Sequence, residues 1–253
     1  MSSQTTYFVT GANRGIGRGL VQLLLQNPSN TVIAAVRDPS HLTSKALADL
    51  PKGAGSQLVV VKLDSEVETD AAAAVAQLSE RGITSLDVVI ANAGIAQGGS
   101  SVRNTSVANT QKHFNVNVLG PLTLFQATAD LLKQASKTGS PKFIAVSTII
   151  GSIGSQEIFA NFPKSSSPYG ASKAALNWFI RLLSFEEPWL TSWVFHPGLV
   201  ETDLTSGGSM DLKALGAISV ETSVADMMKT TWSFEPRDLN GTFRNHDGNI
   251  IPW

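Results

Sequence analysis

Two side chains with complementary proton chemistry stand four residues apart in the second half of the chain. Tyr169 and Lys173 follow Pro168, a residue that suits the first turn of a helix, and Ser167 is a candidate helix cap. Residues at positions i and i+4 lie one above the other on a helix face, so the phenol and the ammonium would share a surface. A nearby ammonium lowers a tyrosine pKa from its usual value of about 10. The pair predicts an acid/base site, although such pairs also arise by chance.

Short apolar runs alternate with stretches of helical periodicity along the whole chain. The runs occupy residues 7–10, 31–36, 58–63, 86–90, 143–147 and 193–195. Helical spacing of apolar residues extends from 16 to about 27, and recurs near 67–81, 108–136, 168–185 and 220–232. This alternation predicts βαβ units and a parallel sheet with helices on both faces, which is a doubly wound Rossmann-type α/β fold. We expect one domain over residues 1–253, in which residues 241–253 supply a last edge strand.

Composition narrows the classes of function. The 253 residues carry a formal net charge of −1 without a basic run, which argues against nucleic acid or a membrane surface as the main partner. The absence of cysteine excludes disulfides and thiolate metal sites, and it is compatible with the cytoplasmic location that we expect. The four histidines are scattered without metal-ligand spacing, so we predict no metal site.

Candidate ligand-binding residues follow the predicted strands. Ligands of an open parallel sheet bind outside the carboxyl ends of its strands. The first run is followed by Gly11, Gly15 and Gly17, whose spacing leaves room for a pyrophosphate at a helix N-terminus. Taken alone, this motif could also be a plain glycine turn. The other strand-end residues are Arg37, Asp64, Asn92-Ala93-Gly94, Ser147 and Pro197-Gly198.

Together these motifs resemble the short-chain dehydrogenase/reductase family over nearly the whole chain. The resemblance rests on residues 10–17, Asn92-Ala93-Gly94, Asn117, Ser147, Tyr169 with Lys173, and Pro197-Gly198 with Thr202. In detail the sequence is most similar to small carbonyl reductases and to the norsolorinic-acid-ketoreductase-like or C-factor-like branch.

The resemblance implies a fold, a cofactor and a set of site residues. The fold would be a seven-stranded parallel sheet of order 3-2-1-4-5-6-7, and the cofactor a nicotinamide dinucleotide. The catalytic tetrad would be Asn117, Ser147, Tyr169 and Lys173. The cofactor-binding residues would be Gly11, Asn13, Arg14, Gly15, Ile16, Gly17, Arg37, Asp64, Asn92, Ala93, Gly94, Tyr169, Lys173, Pro197, Gly198, Val200 and Thr202.

Charge at the second strand end predicts which dinucleotide binds. Enzymes that use NAD usually place a carboxylate there, whereas this chain has Val36 followed by Arg37. Arg14 in the glycine loop supplies a second guanidinium, and two arginines suit a 2′-phosphate. Asp38 complicates the assignment because it could pair with either arginine. Solvated surface arginines are the alternative, but the sequence favours NADP(H).

The resemblance also implies how the tetrad would reduce a carbonyl group. Hydride would pass from the nicotinamide to the carbonyl carbon while Tyr169 donates a proton to the oxygen and Ser147 holds that oxygen. Lys173 would lower the pKa of Tyr169 and bind ribose hydroxyls, and Asn117 would hold a water that links Lys173 to solvent.

Two segments are expected to shape the substrate pocket, near residues 151–167 and 199–218. The first lies between Ser147 and Tyr169 and is longer than is usual in the family, and the second is expected to be a mobile lid. Few charges and several apolar side chains predict an uncharged, apolar or aromatic ketone or aldehyde.

Two alternative functions remain open at this stage. One is a cofactor-binding sensor or scaffold without turnover, and the other is an alcohol dehydrogenase that acts mainly in the oxidative direction.

A homodimer or homotetramer is also compatible with the apolar positions of the Tyr169 helix, such as Trp178, Phe179 and Leu182.

Overall fold

Seven parallel strands form one sheet in the order β3-β2-β1-β4-β5-β6-β7. The computed structural model describes residues 4–160, 166–205 and 212–253. The strands are β1 (Thr6–Thr10), β2 (Thr31–Val36), β3 (Gln57–Lys62), β4 (Val88–Ala91), β5 (Lys142–Val146), β6 (Thr191–His196) and β7 (Phe243–Asn245). This order confirms the predicted fold, and it reverses between β1 and β4, where the carboxyl ends of the strands leave a crevice for a ligand.

Eight α-helices connect the strands within the described residues. They are α1 (Gly15–Gln26), α2 (Leu42–Lys45), α3 (Asp70–Glu80), α4 (Val107–Phe114), α5 (Gly120–Ala135), α6 (Tyr169–Glu186), α7 (Val220–Ser233) and α8 (Pro236–Leu239). The predicted helix over 108–136 is interrupted by a π-helical segment, Asn115–Leu119. Gly120 follows this segment and packs so closely on Ser65 that an added Cβ would lie 2.7 Å from the Ser65 Cβ.

Alternating residues of the strands face two hydrophobic cores, one on each side of the sheet. Val9 of β1 and Val32 of β2 belong to the core beneath α1 and α7. Their chain neighbours Phe8 and Ile33 belong to the core beneath α3, α5 and α6. Since both faces of the central strands β1, β2 and β4 are buried, these strands read as continuous apolar runs, as is typical of parallel sheets.

The start of α6 differs from the prediction. Ser167 was expected to cap this helix, but its hydroxyl accepts a hydrogen bond from Thr105 Oγ1 at 2.8 Å, and its backbone pairs with Ser100. Pro168 occupies the cap position, and no side chain caps the helix. The prediction of a Ser167 cap is therefore wrong, because this serine fastens the lead-in segment to the loop before α4 instead.

The two predicted pocket segments are described only in part. Residues 161–165 of the first and residues 206–211 of the second lie outside the described residues. The second segment is closed at its base by a parallel bridge between Val200 and Ile218. Across the described ranges, no helix combines the length and apolar character needed to cross a membrane.

Candidate active site

The glycine loop after β1 forms a cradle in which Gly11 and Gly17 leave no room for a side chain. Gly11 has a φ of +64°, and a Cβ on Gly17 would lie only 2.1 Å from the Gly11 carbonyl oxygen. The loop leads into α1, whose first turn carries no side-chain cap. The N–H groups of a helix start lack partners within the helix and attract anions. The cradle therefore fits a dinucleotide pyrophosphate.

The end of β4 is fastened to the end of β1 by Thr10. Its hydroxyl oxygen accepts hydrogen bonds from the backbone N–H groups of Asn92 and Ala93, each at 3.0 Å. The Asn92 side chain donates in return to the Thr10 carbonyl oxygen at 2.9 Å. Sequence reasoning included Thr10 only as part of the loop motif. Its contacts show that it positions Asn92 and Ala93 beside the cradle.

Lys173 is buried and reaches the end of β5. Its side chain is on the second turn of α6, the residue is only 4% exposed, and Nζ donates to the Val146 carbonyl oxygen at 2.8 Å. Burial disfavours the charged ammonium and lowers the pKa of Lys173 to about 8. The hydrogen bond places the lysine directly beside the residue that precedes Ser147.

Ser147 presents a hydroxyl without a protein partner. The residue is 2% exposed, and its backbone N–H donates to the Phe195 carbonyl oxygen at 2.7 Å. Its Oγ is buried and makes no hydrogen bond to any described group. A buried hydroxyl left unsatisfied is costly, and such atoms call for an explanation in the function of a site. The Ser147 hydroxyl is therefore available for the oxygen of a substrate.

Tyr169 differs in one respect from the expectation. It begins α6 one turn before Lys173, and burial of its phenol raises its pKa above the ordinary value. We expected the lysine to lower this pKa. However, Lys173 Nζ bonds to the Val146 carbonyl oxygen, and the desolvation of the phenol dominates. In the protein's own field, Tyr169 is thus a protonated phenol at neutral pH, which suits a proton donor.

Asn117 lies in the π-helical segment and is completely buried. Its Nδ2 donates to the Ile95 carbonyl oxygen and to Ser172 Oγ, both at 2.9 Å, and its Oδ1 accepts from the Ile95 N–H at 2.8 Å. A Cβ on Gly94 would lie 3.1 Å from Asn117 Oδ1 and 3.5 Å from Lys173 Nζ. Asn117 therefore fixes the loop after β4 next to the lysine. Asn115, the other asparagine of the same segment, is exposed.

The chain after β6 borders the same crevice. Thr202 packs against the glycine loop, since a Cβ on Gly15 would lie 3.4 Å from Thr202 Cγ2. Val200 is buried, and Ser223 Oγ holds the Pro197 carbonyl oxygen at 2.6 Å. Asp64, at the end of β3, is half-buried and accepts a hydrogen bond from the Glu66 N–H at 3.0 Å. The structure thus brings residues from five strand ends, those of β1, β3, β4, β5 and β6, to one edge of the sheet.

Comparison with known proteins agrees with this geometry. The sequence profile of the short chain dehydrogenases matches residues 5–212. The chain belongs to the short-chain dehydrogenase family. It is 41% identical over 255 residues to norsolorinic acid ketoreductase of Dothistroma septosporum, with 100% of this chain and 94% of the relative covered. It is 37% identical to norsolorinic acid ketoreductase of Aspergillus parasiticus, and the match covers 99% of this chain and 92% of that relative.

Among solved structures, the NADPH-bound carbonyl reductase from chicken fatty liver is similar over the entire fold. The two structures superpose with a TM-score of 0.86, and their sequences are 33% identical. The match covers 99% of this chain and 100% of the carbonyl reductase chain. These relatives confirm the family and the ketoreductase-like branch that the sequence motifs indicated.

Two exposed arginines lie at the ends of β1 and β2 in this short-chain dehydrogenase. Arg14 pairs with Asp203 at 3.6 Å, and Arg37 is exposed directly after β2. Within the described part of the chain, Asp38 forms no ion pair with either arginine. Its Oδ1 accepts hydrogen bonds from the N–H and the hydroxyl of Ser40, at 2.8 and 2.6 Å. These bonds lower the pKa of Asp38. Asn13, in the same loop, donates to Thr43 Oγ1 at 2.7 Å.

The remaining loop residue, Ile16, has a different surrounding from the polar candidates. Its side chain is partly buried and packs against the core beneath α1. Its backbone lies at the start of α1, where N–H groups without a partner in the helix attract anions.

Sequence reasoning missed a group behind the Pro197-Gly198 turn in this short-chain dehydrogenase. A Cβ on Gly198, whose φ is +85°, would lie 3.0 Å from the His246 ring. His246 Nδ1 is 2.8 Å from Asp226 Oδ2. His196, just before the turn, is largely buried, which lowers its pKa to about 4. The spacing of these residues gave no signal. In the described part of the chain, no group of three potential ligands is placed to hold a metal ion.

Proposed function

We propose that this chain is an NADPH-dependent carbonyl reductase that converts a ketone or an aldehyde into an alcohol, with Tyr169 as the general acid. The observation that carries the proposal is the cluster at the end of β5. There Ser147, whose hydroxyl has no partner, follows Val146, whose carbonyl oxygen accepts a hydrogen bond from Lys173. Lys173 stands one helical turn after Tyr169 on α6.

The glycine cradle and the residues that border it fit the dinucleotide. The pyrophosphate would rest on the start of α1, Asn92 to Gly94 would line the cofactor, and Asp64 would lie by the adenine. Thr202 would lie near the phosphates or the carboxamide, with Pro197, Gly198 and Val200 shaping the backbone there. When bound, the nicotinamide supplies a hydride to the carbonyl carbon.

Residues of the chain would bind the carbonyl oxygen of the substrate and donate a proton to it. The Ser147 hydroxyl would hold the oxygen, which becomes negative as the carbonyl is reduced. Tyr169 would donate its phenolic proton, which it carries at neutral pH. Lys173 would bind ribose hydroxyls and resupply the proton, through a water held near Asn117.

The preference for NADPH is supported by charge. Arg14 and Arg37 are both exposed, and the structure gives Asp38 another partner in Ser40. A 2′-phosphate would take charge-assisted hydrogen bonds from these guanidinium groups. The NADPH-bound state of the carbonyl reductase from chicken liver agrees with this assignment.

The substrate class that we propose is an uncharged apolar or aromatic carbonyl compound. The segment after Ser147 carries Ile149 and Ile150, and Ile153 and Ile158 are left exposed. Two relatives are ketoreductases of norsolorinic acid by name, which is consistent with a ketone substrate.

A screen of NADPH consumption tests the proposed function. Purified protein is mixed with aryl ketones, diketones, quinones or aldehydes, and NADPH oxidation is followed with NADH in parallel. We expect steady turnover with at least one aromatic ketone and a lower kcat/KM with NADH. NADPH binding without turnover of any carbonyl compound would favour a sensor or scaffold, and comparable efficiency with NADH would refute the cofactor preference.

A further inference from the structure

The segment that follows Ser147 is fastened to the catalytic helix at its beginning. We call residues 149–160 the pocket wall. Asn177 of α6 donates from Nδ2 to the Gly151 carbonyl oxygen at 3.3 Å. A Cβ on Gly151 would lie 2.8 Å from the Lys173 Cβ, so the wall lies directly on α6 beside the lysine. Ile150 likewise packs on Gly170, the residue after Tyr169.

The middle of the pocket wall is held by a different part of the chain. We call residues 250–253 the strap. The Gly154 N–H donates to the Trp253 carbonyl oxygen at 2.6 Å, and Ser152 Oγ donates to the Pro252 carbonyl oxygen at 2.5 Å. Ser152 is completely buried, and its Oγ also accepts from the Ser155 N–H at 3.0 Å. Two hydrogen bonds thus join the wall to the strap across about 100 positions of sequence.

The strap is itself anchored to the sheet and to α6. The Ile251 N–H donates to the Phe243 carbonyl oxygen of β7 at 2.8 Å. The rings of Trp253 and Phe243 are 5.7 Å apart, and the Arg181 guanidinium of α6 lies 5.9 Å from the Trp253 ring. The strap therefore offers a fixed support, whereas the wall has no regular secondary structure beyond short 3₁₀ turns.

Two large apolar side chains of the wall are left open to solvent. Ile153 and Ile158 are 72% and 59% exposed. Ile153 lies between the two residues that the strap holds, and Ile158 follows them. Both isoleucines belong to the segment that packs on α6 beside Lys173 through Gly151, and exposed apolar side chains around a binding site favour an apolar ligand. Their position depends on a backbone that the strap fixes at Ser152 and Gly154.

We propose that the strap is a specificity-determining element, in which Pro252 and Trp253 position the pocket wall and thereby set the affinity for the carbonyl substrate. The inference rests on the proposed carbonyl reduction and deepens it. It assigns the strap no part in cofactor binding or proton transfer.

Gly154 allows the contact to be broken with a single methyl group. Its φ is not in the left-handed region, and a Cβ there would lie 3.0 Å from both the Pro252 Cβ and the Trp253 carbonyl oxygen. The atoms nearest to the methyl group of Gly154→Ala would therefore all belong to the strap. The matched control is Gly139→Ala, since a Cβ at Gly139 meets nothing nearer than the Ala135 carbonyl oxygen at 3.9 Å.

The experiment compares Gly154→Ala, deletion of residues 252 and 253, and the two changes combined. We expect Gly154→Ala and the deletion each to raise the KM for a ketone about ten-fold, the range of one lost buried hydrogen bond. The NADPH dissociation constant, measured by fluorescence titration, should stay within about two-fold. The combined variant should be no worse than the deletion alone, because the methyl group then has nothing to displace.

The same variants are also examined by amide hydrogen exchange, which does not need turnover. We expect faster exchange in peptides from residues 149–160 for Gly154→Ala and for the deletion, and wild-type exchange for Gly139→Ala. Unchanged protection of the wall, or unchanged KM in both variants, would overturn the inference. So would a combined variant whose KM rises by the product of the two single effects. Failure of the wild-type protein to reduce any carbonyl compound would instead refute the proposed function, while hydrogen exchange would still decide the role of the strap.

Discussion

Ser147 illustrates how a single buried atom connects stability with function. Its hydroxyl is shielded from water and has no partner among the described residues, so folding gains nothing from it. The motif order of the sequence could identify this serine as a candidate. It could not show that the hydroxyl is left unpaired, because that depends on which neighbouring groups already have partners. Likewise, the pKa of Tyr169 depends on burial and on where the Lys173 side chain points, and the spacing of the two residues shows neither.

Replacement of Ser147 by alanine should separate activity from stability. We expect kcat/KM for a ketone to fall by about 10² to 10³, the usual effect of losing one group that stabilises a developing oxyanion. The melting temperature should not fall, because no hydrogen bond is lost. Steady-state kinetics and thermal unfolding measure both effects.

Ser192→Ala is the matched control, since Ser192 is a completely buried serine in β6. It should leave kcat/KM within about two-fold. A Ser147→Ala enzyme with nearly wild-type kcat/KM would show that this hydroxyl does not hold the reacting oxygen.

At the scale of elements, we propose that the glycine loop and the loop after β2 select the cofactor. The sequence predicted both loops because apolar strands and glycines have strong local patterns. It did not predict the break between α4 and α5. The π-helical segment is stabilised by tertiary contacts, those of Asn117 with Ile95 and of Gly120 with Ser65, which local periodicity does not encode. Nor could the sequence show that the Asp38 carboxylate accepts hydrogen bonds from Ser40.

Replacement of Arg37 by serine should weaken NADPH binding selectively. We expect the NADPH dissociation constant to rise roughly ten-fold to 100-fold, because charge-assisted hydrogen bonds to the 2′-phosphate are lost. The NADH dissociation constant should stay nearly unchanged. Fluorescence titration with both dinucleotides gives the two values.

Arg81→Ser provides the control, since Arg81 is also exposed but follows α3. It should bind both dinucleotides as the wild-type protein does. Equal losses for NADPH and NADH in Arg37→Ser would contradict the assignment of Arg37 to the 2′-phosphate.

For the molecule as a whole, segments from distant parts of the second half of the chain pack together at the end of β6. His196 ends this strand, His246 follows β7, and Asp226 lies on α7, so three elements meet behind the Pro197-Gly198 turn. Desolvation and the nearby His246 lower the pKa of His196 to about 4, from an ordinary value of 6.5. The strap and this group come from distant parts of the sequence, which is why the sequence alone predicted neither.

The buried His196 should make the protein sensitive to acid. Between pH 6.5 and about 4, the unfolded chain binds a proton at this residue while the folded chain does not, so stability falls as the pH falls through this window. The loss should approach about 3 kcal/mol below pH 4, on the scale of 1.36 kcal/mol for each pKa unit. Denaturant unfolding from pH 7 to pH 4 measures it.

His196→Gln cannot titrate and should lose less stability over the same range, by about 2 to 3 kcal/mol. His41→Gln, at an exposed position, should follow the wild-type curve. Identical pH dependence for His196→Gln and wild type would show that His196 is not the group responsible.

The central claim is that Tyr169 donates the proton in carbonyl reduction, and Tyr169→Phe tests it most directly. The chain contains two tyrosines, so Tyr7→Phe, at a buried position in β1, is the matched control. With a ketone that the wild-type enzyme reduces, we expect Tyr169→Phe to lose at least about 10² to 10⁴ in kcat while its NADPH dissociation constant stays within a few-fold. Tyr7→Phe should keep wild-type turnover. A Tyr169→Phe enzyme that retains a substantial fraction of the wild-type kcat would contradict the account.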